Sequence, residues 1–533
     1  MQKPFYPIIY VRGYAMTEAE RNETAADPFC GFNLGSTVFR ANPNKHEPAK
    51  KFVFESPLLR LSAEYGYSDV YENGLDILDP DWRPRTRLNG QPNLGIPASS
   101  VIIYRYYDEG STLLGDGEAR KIERYCQGLS DLILRARELV LAQEAGAMKP
   151  ADFRCYLVAH SMGGLVVRGF LQNPQLGSDE ARQAVDKIFT YATPHNGIEA
   201  AGRNVPTWLS LNEINTFSRE RMAGFLNLQA AFERYKRVDF LPAAAFPIER
   251  IFCMVGTNRD DYDVAMGLSR AFAGHGSDGL VKVDNASVWG LDRNNNISGT
   301  AATAYCYRTH SGPFGIVNSE EAYQNLARFL FGDVRVDLWM EVDEVRLPAA
   351  IEDRAVEVQA LYQFELLARP RGKRWYLSRR VAEEDSPACR SHAELTQKQA
   401  LGGNLVYLST VFLANKAKVS TVDRTLAYAM DVAVRVPDYV IDRRFWADQH
   451  FEGSHLFRDS LLISLEPPAE EGQAWKVMHS WESQHVGQAT EQLSYTQVKG
   501  GAIRIEVPLP SGAHKPGIDG KVLLLVSAWN SED

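Results

Sequence analysis

Apolar and polar positions along the chain change rhythm once, near residue 333. Before that point, short β-branched and aromatic runs alternate with stretches of helical spacing, a pattern that predicts βαβ units and a mainly parallel sheet. The expected strands are Ile8 to Val11, Val101 to Tyr106, Phe153 to Val158, Lys187 to Tyr191 and Arg250 to Val255, with a helix over Leu129 to Ala147. Two stretches interrupt the alternation. Asn33 to Pro97 is polar, Pro- and Asn-rich and weakly periodic, so it is expected to decorate the sheet rather than join it and to shape a cleft. In Asn204 to Phe246, the residues Met222, Phe225 and Leu226, then Leu228, Ala231, Phe232 and Tyr235, fall at i, i+3, i+4, i+7 spacing and predict an amphipathic helix. Such a stripe reads first as core packing and second as a mobile lid. Asn318, with Glu321 three residues on and then Leu326, Phe329 and Leu330, predicts a capped helix that ends at Gly332.

From Val334 onward the pattern is strict alternation, with strands expected near Val334 to Trp339, Arg374 to Leu377, Leu405 to Phe412, Tyr428 to Val436, Ile503 to Val507 and Val522 to Ala528. At 533 residues the chain exceeds what one core sustains. Two domains are expected: an α/β domain over 1–332 with insertions at about 33–97 and 204–246, and an all-β, sandwich-like domain over 333–533. There is no solenoid or propeller period.

The chemistry gathers where periodicity breaks. Phe153 to Val158 runs straight into Ala159-His160-Ser161-Met162-Gly163-Gly164 and then into the helical stretch Leu165 to Leu171. A serine on so tight a strand-to-helix turn needs small neighbours two residues either side, which Ala159 and Gly163 supply. The turn lifts the hydroxyl above the sheet and aims a helix N-terminus at any oxyanion formed there. The apolar strand Pro7 to Val11 ends in Arg12-Gly13-Tyr14, so the N–H groups of Tyr14 and Met162 are the expected oxyanion donors.

A serine hydroxyl needs a histidine to take its proton and a carboxylate to hold that histidine's tautomer, in the chain order Ser, acid, His. Asp278, on the Gly-flanked loop Gly276 to Val281, is the expected acid, and His310, in the polar loop before the last helix, is the expected base. His160 adjoins the serine and reads as structural, while His195 precedes every good acid in the chain. Asp260, Asp261 and Asp263 are rival acids, although an acidic cluster on a loop is more often a solvated face.

These segments resemble those of bacterial lipases and related α/β-hydrolases, through Gly13-Tyr14, His160-Ser161-Met162-Gly163-Gly164, Ala192-Thr193-Pro194-His195, Asp278-Gly279-Leu280-Val281 and His310. The resemblance covers 1 to about 332 and implies an α/β-hydrolase fold, an acyl-serine intermediate and a structural role for the Thr-Pro-His segment. Arg12 stands where that family usually has His, and Ala159 where it often has Gly. Some of those lipases carry a structural Ca or Zn ion, for which Asp260, Asp261 and Asp263 would be oxygen ligands here.

Composition narrows the rest. A formal net charge of −9 and scattered Lys and Arg argue against nucleic acid as a partner. Six cysteines without CxxC spacing read as buried thiols. No HExxH, EF-hand, Walker or dinucleotide motif is present, so neither cofactor nor metal is expected. The N-terminus offers no leader pattern, and the chain is expected to be cytoplasmic as synthesised, with signal-independent export left open. Trp375, Trp446, Trp475 and Trp481 read as core of the β-domain ahead of a ligand surface, and that domain's partner is not legible. The expected activity is hydrolysis of lipid acyl esters, as a lipase or phospholipase with peripheral membrane contact. An acyltransferase shares the same triad, and an inactive hydrolase-fold protein acting through its β-domain is the alternative of another class.

Overall fold

The computed structural model describes residues 5–13, 18–40, 50–86, 90, 93–200, 203–204, 214–259, 276–312, 314–352, 358–396, 403–417, 425–441, 449–466, 474–484, 491–498, 500–510, 512 and 514–530. The chain divides into two compact units, 1–302 with 308–323, and 303–307 with 324–533.

A seven-stranded sheet runs in the order Ala302–Cys306, Ile251–Gly256, Val185–Tyr191, Cys155–His160, Ile8–Val11, Ser100–Tyr104 and Ser68–Asp69. Its pairings are parallel, the α/β-hydrolase arrangement. The inner strands are buried on both faces, which is why they read as unbroken apolar runs in the sequence. Register decides what emerges where: Val11 lies opposite both Tyr104 and Ala159. The residues that follow these three, Arg12-Gly13, Arg105-Tyr106-Tyr107 and His160-Ser161, therefore emerge together at the sheet's carboxyl edge, where His160 still pairs with Tyr191.

The insertion over 33–97 does not merely decorate this sheet. Its helix Pro57–Tyr65 is capped by Ser56 and leads into Ser68–Asp69, which pairs with Ser100–Tyr104 as the edge strand. A strand of two residues has no period to detect. The amphipathic stripe forms two short helices, Arg219–Phe225 and Gln229–Tyr235, separated where Asn227 adopts φ 55°. Met222, Phe225, Leu226 and Leu228 are buried in the main core, so the stripe is packing and not a lid. The helix expected from Asn318 is Glu320–Phe331, and Ser319 rather than Asn318 caps it, its Oγ accepting from Ala322 N.

In the second unit, one antiparallel sheet runs Leu405–Leu413, Val334–Arg346, Gly517–Ala528, Ile503–Pro508 and Tyr495–Gln497. A second contains Val358–Pro370, Leu426–Arg435, His455–Glu466 and Lys476–Trp481. Their alternating buried positions share one apolar core, as a sandwich requires. The strand expected over Arg374 to Leu377 lies instead at Ser378–Arg380, after a turn. Trp481 is core, with Nε1 donating to Pro508 O, and Trp375 and Trp475 pack against that core; Trp446 lies outside the described residues. Cys389 is exposed and the other five cysteines are buried. Among the described residues, no helix is long and apolar enough to cross a membrane.

Behind the Ser161 turn, the helix Met162–Gln172 carries one buried cation. Arg168 donates to the carbonyls of His195 (3.0 Å), Val238 (2.8 Å) and Phe240 (2.6 Å), and burial pulls its basicity down to about 10. Arg168→Met strips three buried carbonyls of their donors and is expected to lower unfolding free energy by about 3 kcal/mol in urea titration. A loss under about 1 kcal/mol would mean that the carbonyls find other donors.

Candidate active site

Ser161 sits at φ 54° and ψ −127°, between the buried strand Cys155–His160 and the buried helix Met162–Gln172. An L-residue holds such angles only when its surroundings force them. Here the surroundings are close-packed backbone. A Cβ at Gly163 would lie 2.3 Å from Val11 O, and one at Gly164 would lie 2.2 Å from Thr193 Oγ1. On the opposite side, a Cβ at Gly13 would lie 2.7 Å from Ser161 Cβ. Three glycines thus let two strands and a helix converge on one serine.

The sequence-predicted serine, acid and histidine are brought into one hydrogen-bonded line. His310 Nε2 lies 2.8 Å from Ser161 Oγ, and His310 Nδ1 lies 3.0 Å from Asp278 Oδ2. All three side chains are buried. The other carboxylate oxygen, Asp278 Oδ1, accepts from Leu280 N (3.0 Å) and Val281 N (2.8 Å), so the loop that carries the acid also orients it. Backbone joins the two loops directly, His310 N donating to Asp278 O at 2.9 Å. Gly256, at the end of its strand, leaves room for the pair: a Cβ there would meet Arg308 O at 2.7 Å and Asp278 Cβ at 2.9 Å.

The rival histidines are held elsewhere. His195 is enclosed by Thr190 Oγ1 at 3.2 Å and Cys253 Sγ at 3.7 Å. Burial first, and the nearby Arg168 charge second, hold its pKa well below the ordinary imidazole value. His160 does not simply point away from the site, since its Nε2 lies 2.9 Å from His310 O. Burial, then the neighbouring His310, keeps His160 neutral, so it serves as a fixed hydrogen-bonding strut for the loop of the base. Nothing in the sequence around His160 signals that long-range bond.

On the oxyanion side, Met162 is the first residue of its helix, where N–H groups lack intrahelical acceptors. Tyr14 lies outside the described residues, as do Asp260, Asp261 and Asp263. Arg12 donates to Cys30 O, and Gly31 leaves space for its guanidinium. The carbonyls of Arg12 and Gly13 accept from two buried phenols that the sequence did not single out: Tyr106 Oη lies 2.6 Å from Arg12 O, and Tyr107 Oη lies 2.8 Å from Gly13 O. Among the described residues, no group of three or more His, Cys, Asp or Glu is placed to hold a metal ion.

Such a line of serine, imidazole and buried carboxylate can move a proton off a hydroxyl and hold the resulting imidazolium, which are the requirements of nucleophilic acyl transfer.

No family model matches the chain, and no curated protein does. Among solved structures, the chain is similar to the Bacillus licheniformis lipase BlEst2 in its mature form, at 14% identity over 59% of this chain and 87% of that one, with a TM-score of 0.26. It is also similar to phospholipase PlaB from Legionella pneumophila, at 13% identity over 80% of this chain and 86% of that one, with a TM-score of 0.27. Neither likeness identifies a substrate for this chain.

The depressed pKa values of His160 and His195 fix a pH dependence of stability. Unfolded imidazoles titrate near about 6.5, so below that pH the unfolded chain binds protons that these two buried rings refuse. Stability is therefore retained above about pH 6.5 and lost as pH falls, each ring contributing a slope of up to about 1.4 kcal/mol per pH unit. Urea unfolding of His195→Asn between pH 7 and 5 is expected to show a flatter dependence than wild type by about that slope. Parallel curves would exclude a neutral His195.

Proposed function

We propose that the chain is a serine carboxylester hydrolase that cleaves lipid acyl esters through an acyl-Ser161 intermediate, with 1–332 as its catalytic domain and 333–533 as an accessory domain. The observation that carries this reading is the buried line from Ser161 Oγ through His310 to Asp278, at 2.8 and 3.0 Å. His310 Nε2 removes the hydroxyl proton as Ser161 Oγ attacks the acyl carbonyl. Asp278 holds the imidazolium so formed, and the Met162 and Tyr14 amides carry the oxyanion. Collapse of that tetrahedral adduct expels the alcohol, which takes the proton from His310. Water, activated by His310 in turn, releases the acid and restores Ser161.

Preference for lipid over small soluble esters is supported by the loop that leaves the carboxyl edge after Ser100–Tyr104. It carries consecutive leucines, Leu113 and Leu114, that are 58% and 60% exposed. The loop is braced rather than loose: Arg21 Nε donates to Gly110 O at 3.2 Å, and Asn22 exchanges bonds with Thr112 at 2.8 and 2.9 Å. A braced loop presenting two leucines to water suits contact with an amphiphile surface. The stripe from Met222 to Ala231 offers no such support, because it is core.

The test is release of p-nitrophenol from butyrate, octanoate and palmitate esters, with fatty-acid release from phosphatidylcholine and triacylglycerol. Ser161→Ala is expected to lose about 10⁴-fold or more in rate with its fold intact. A rate that climbs with added alcohol while free acid falls would identify an acyltransferase. Silence of the wild type on every ester would leave an inactive hydrolase-fold protein that acts through its β-domain.

A further inference from the structure

We infer that the phenols of Tyr107 and Tyr106 are positioning residues of the oxyanion hole, clamping two successive peptide planes next to Ser161. The inference rests on the proposed acyl transfer at Ser161. A trans peptide is planar, so its carbonyl and N–H point in opposite directions and cannot turn independently. The Gly13 carbonyl belongs to the same peptide as the N–H of residue 14, the proposed donor. Whatever holds that carbonyl therefore aims the donor.

Gly13 cannot stiffen its own peptides. A Cβ there would lie 2.7 Å from Ser161 Cβ, so the position must remain glycine, the residue with the widest backbone freedom. The restraint has to come from outside, and the register supplies it. Tyr104 lies opposite Val11, so Tyr106 and Tyr107 emerge beside Arg12 and Gly13. Tyr107 Oη lies 2.8 Å from Gly13 O; Tyr106 Oη lies 2.6 Å from Arg12 O and 3.2 Å from Gly13 O. Each phenol has one proton to give. The shortest contacts put Tyr106 against the peptide before Gly13 and Tyr107 against the peptide after it, and the two phenols are also hydrogen-bonded to each other. The phenols are themselves braced. The Tyr106 ring packs at a tilt, 4.3 Å from Tyr107 and 4.4 Å from Tyr125, and burial holds its hydroxyl protonated far above the ordinary range.

Tyr104 provides an internal control. It belongs to the same aromatic cluster, 5.2 Å from Tyr106, yet its hydroxyl donates to Tyr125 O, on the helix Ile122–Glu144, rather than to the oxyanion strand. Tyr104→Phe and Tyr107→Phe each delete one buried phenol–carbonyl bond, and only the second is on the proposed donor's peptide.

With p-nitrophenyl butyrate, Tyr107→Phe is expected to lower kcat about 10- to 100-fold with KM within about 2-fold. Its affinity for a trifluoromethyl ketone, which builds a tetrahedral oxyanion on Ser161, should fall by the same factor as kcat/KM. Tyr106→Phe should lose less, and Tyr104→Phe should keep wild-type kcat although its melting temperature falls as far as that of Tyr107→Phe. The clamp is overturned if Tyr107→Phe retains wild-type kcat, or if Tyr104→Phe loses as much. Where the wild type hydrolyses the ester, Ser161→Ala does not and Tyr107→Phe matches the wild type, the clamp alone fails. Where the wild type hydrolyses no ester, the hydrolase reading and the clamp fall together.

Discussion

The backbone of Ser161 is held at φ 54° and ψ −127°, and the first unit is arranged to keep it there. Such angles cost free energy that an isolated turn would relieve by rotating. Relief is blocked because the turn is closed in by backbone from the Ile8–Val11 strand and by Thr193, at distances that only Gly163 and Gly164 permit. Removing bulk from the helix start and from the end of the neighbouring strand is what makes the serine's orientation obligatory. The same lack of bulk leaves Gly13 with wide backbone freedom, and its carbonyl accepts from the Tyr107 hydroxyl.

Several polar groups around the Ser161 turn have neutral hydrogen-bond partners. Arg168 holds three carbonyls, His160 holds the carbonyl of His310, and Asp278 takes two amides from its own loop. Neutral partners set position without adding a charge of their own. In a buried setting, where an unpaired charge is expensive, this arrangement keeps the electrostatics of the line simple.

Much of this architecture can be read from the chain because the signals are local. Five apolar runs became strands with ends shifted by two residues or fewer, since double-sided burial leaves an unbroken apolar record. Ser161, Asp278 and His310 could be chosen because each stands at a strand end or in a polar loop, in an order that the chemistry dictates. What escaped depends on distant partners. Ser68–Asp69 is a strand only through Ser100–Tyr104. Asn227 breaks a helix by a left-handed backbone that helical periodicity passes over. The hydroxyls of Tyr106 and Tyr107 sit at the end of an apolar run, and the register alone reveals their acceptors.

The bond between Ser161 and His310 spans 149 residues, and the Ile8–Val11 strand lies inside the sheet, between Cys155–His160 and Ser100–Tyr104. The two ends of that bond therefore meet only through long-range folding. The Ile8–Val11 strand likewise pairs only with distant segments, near residues 100 and 155. Only a chain that reaches past residue 310 holds all three members of the hydrogen-bonded line.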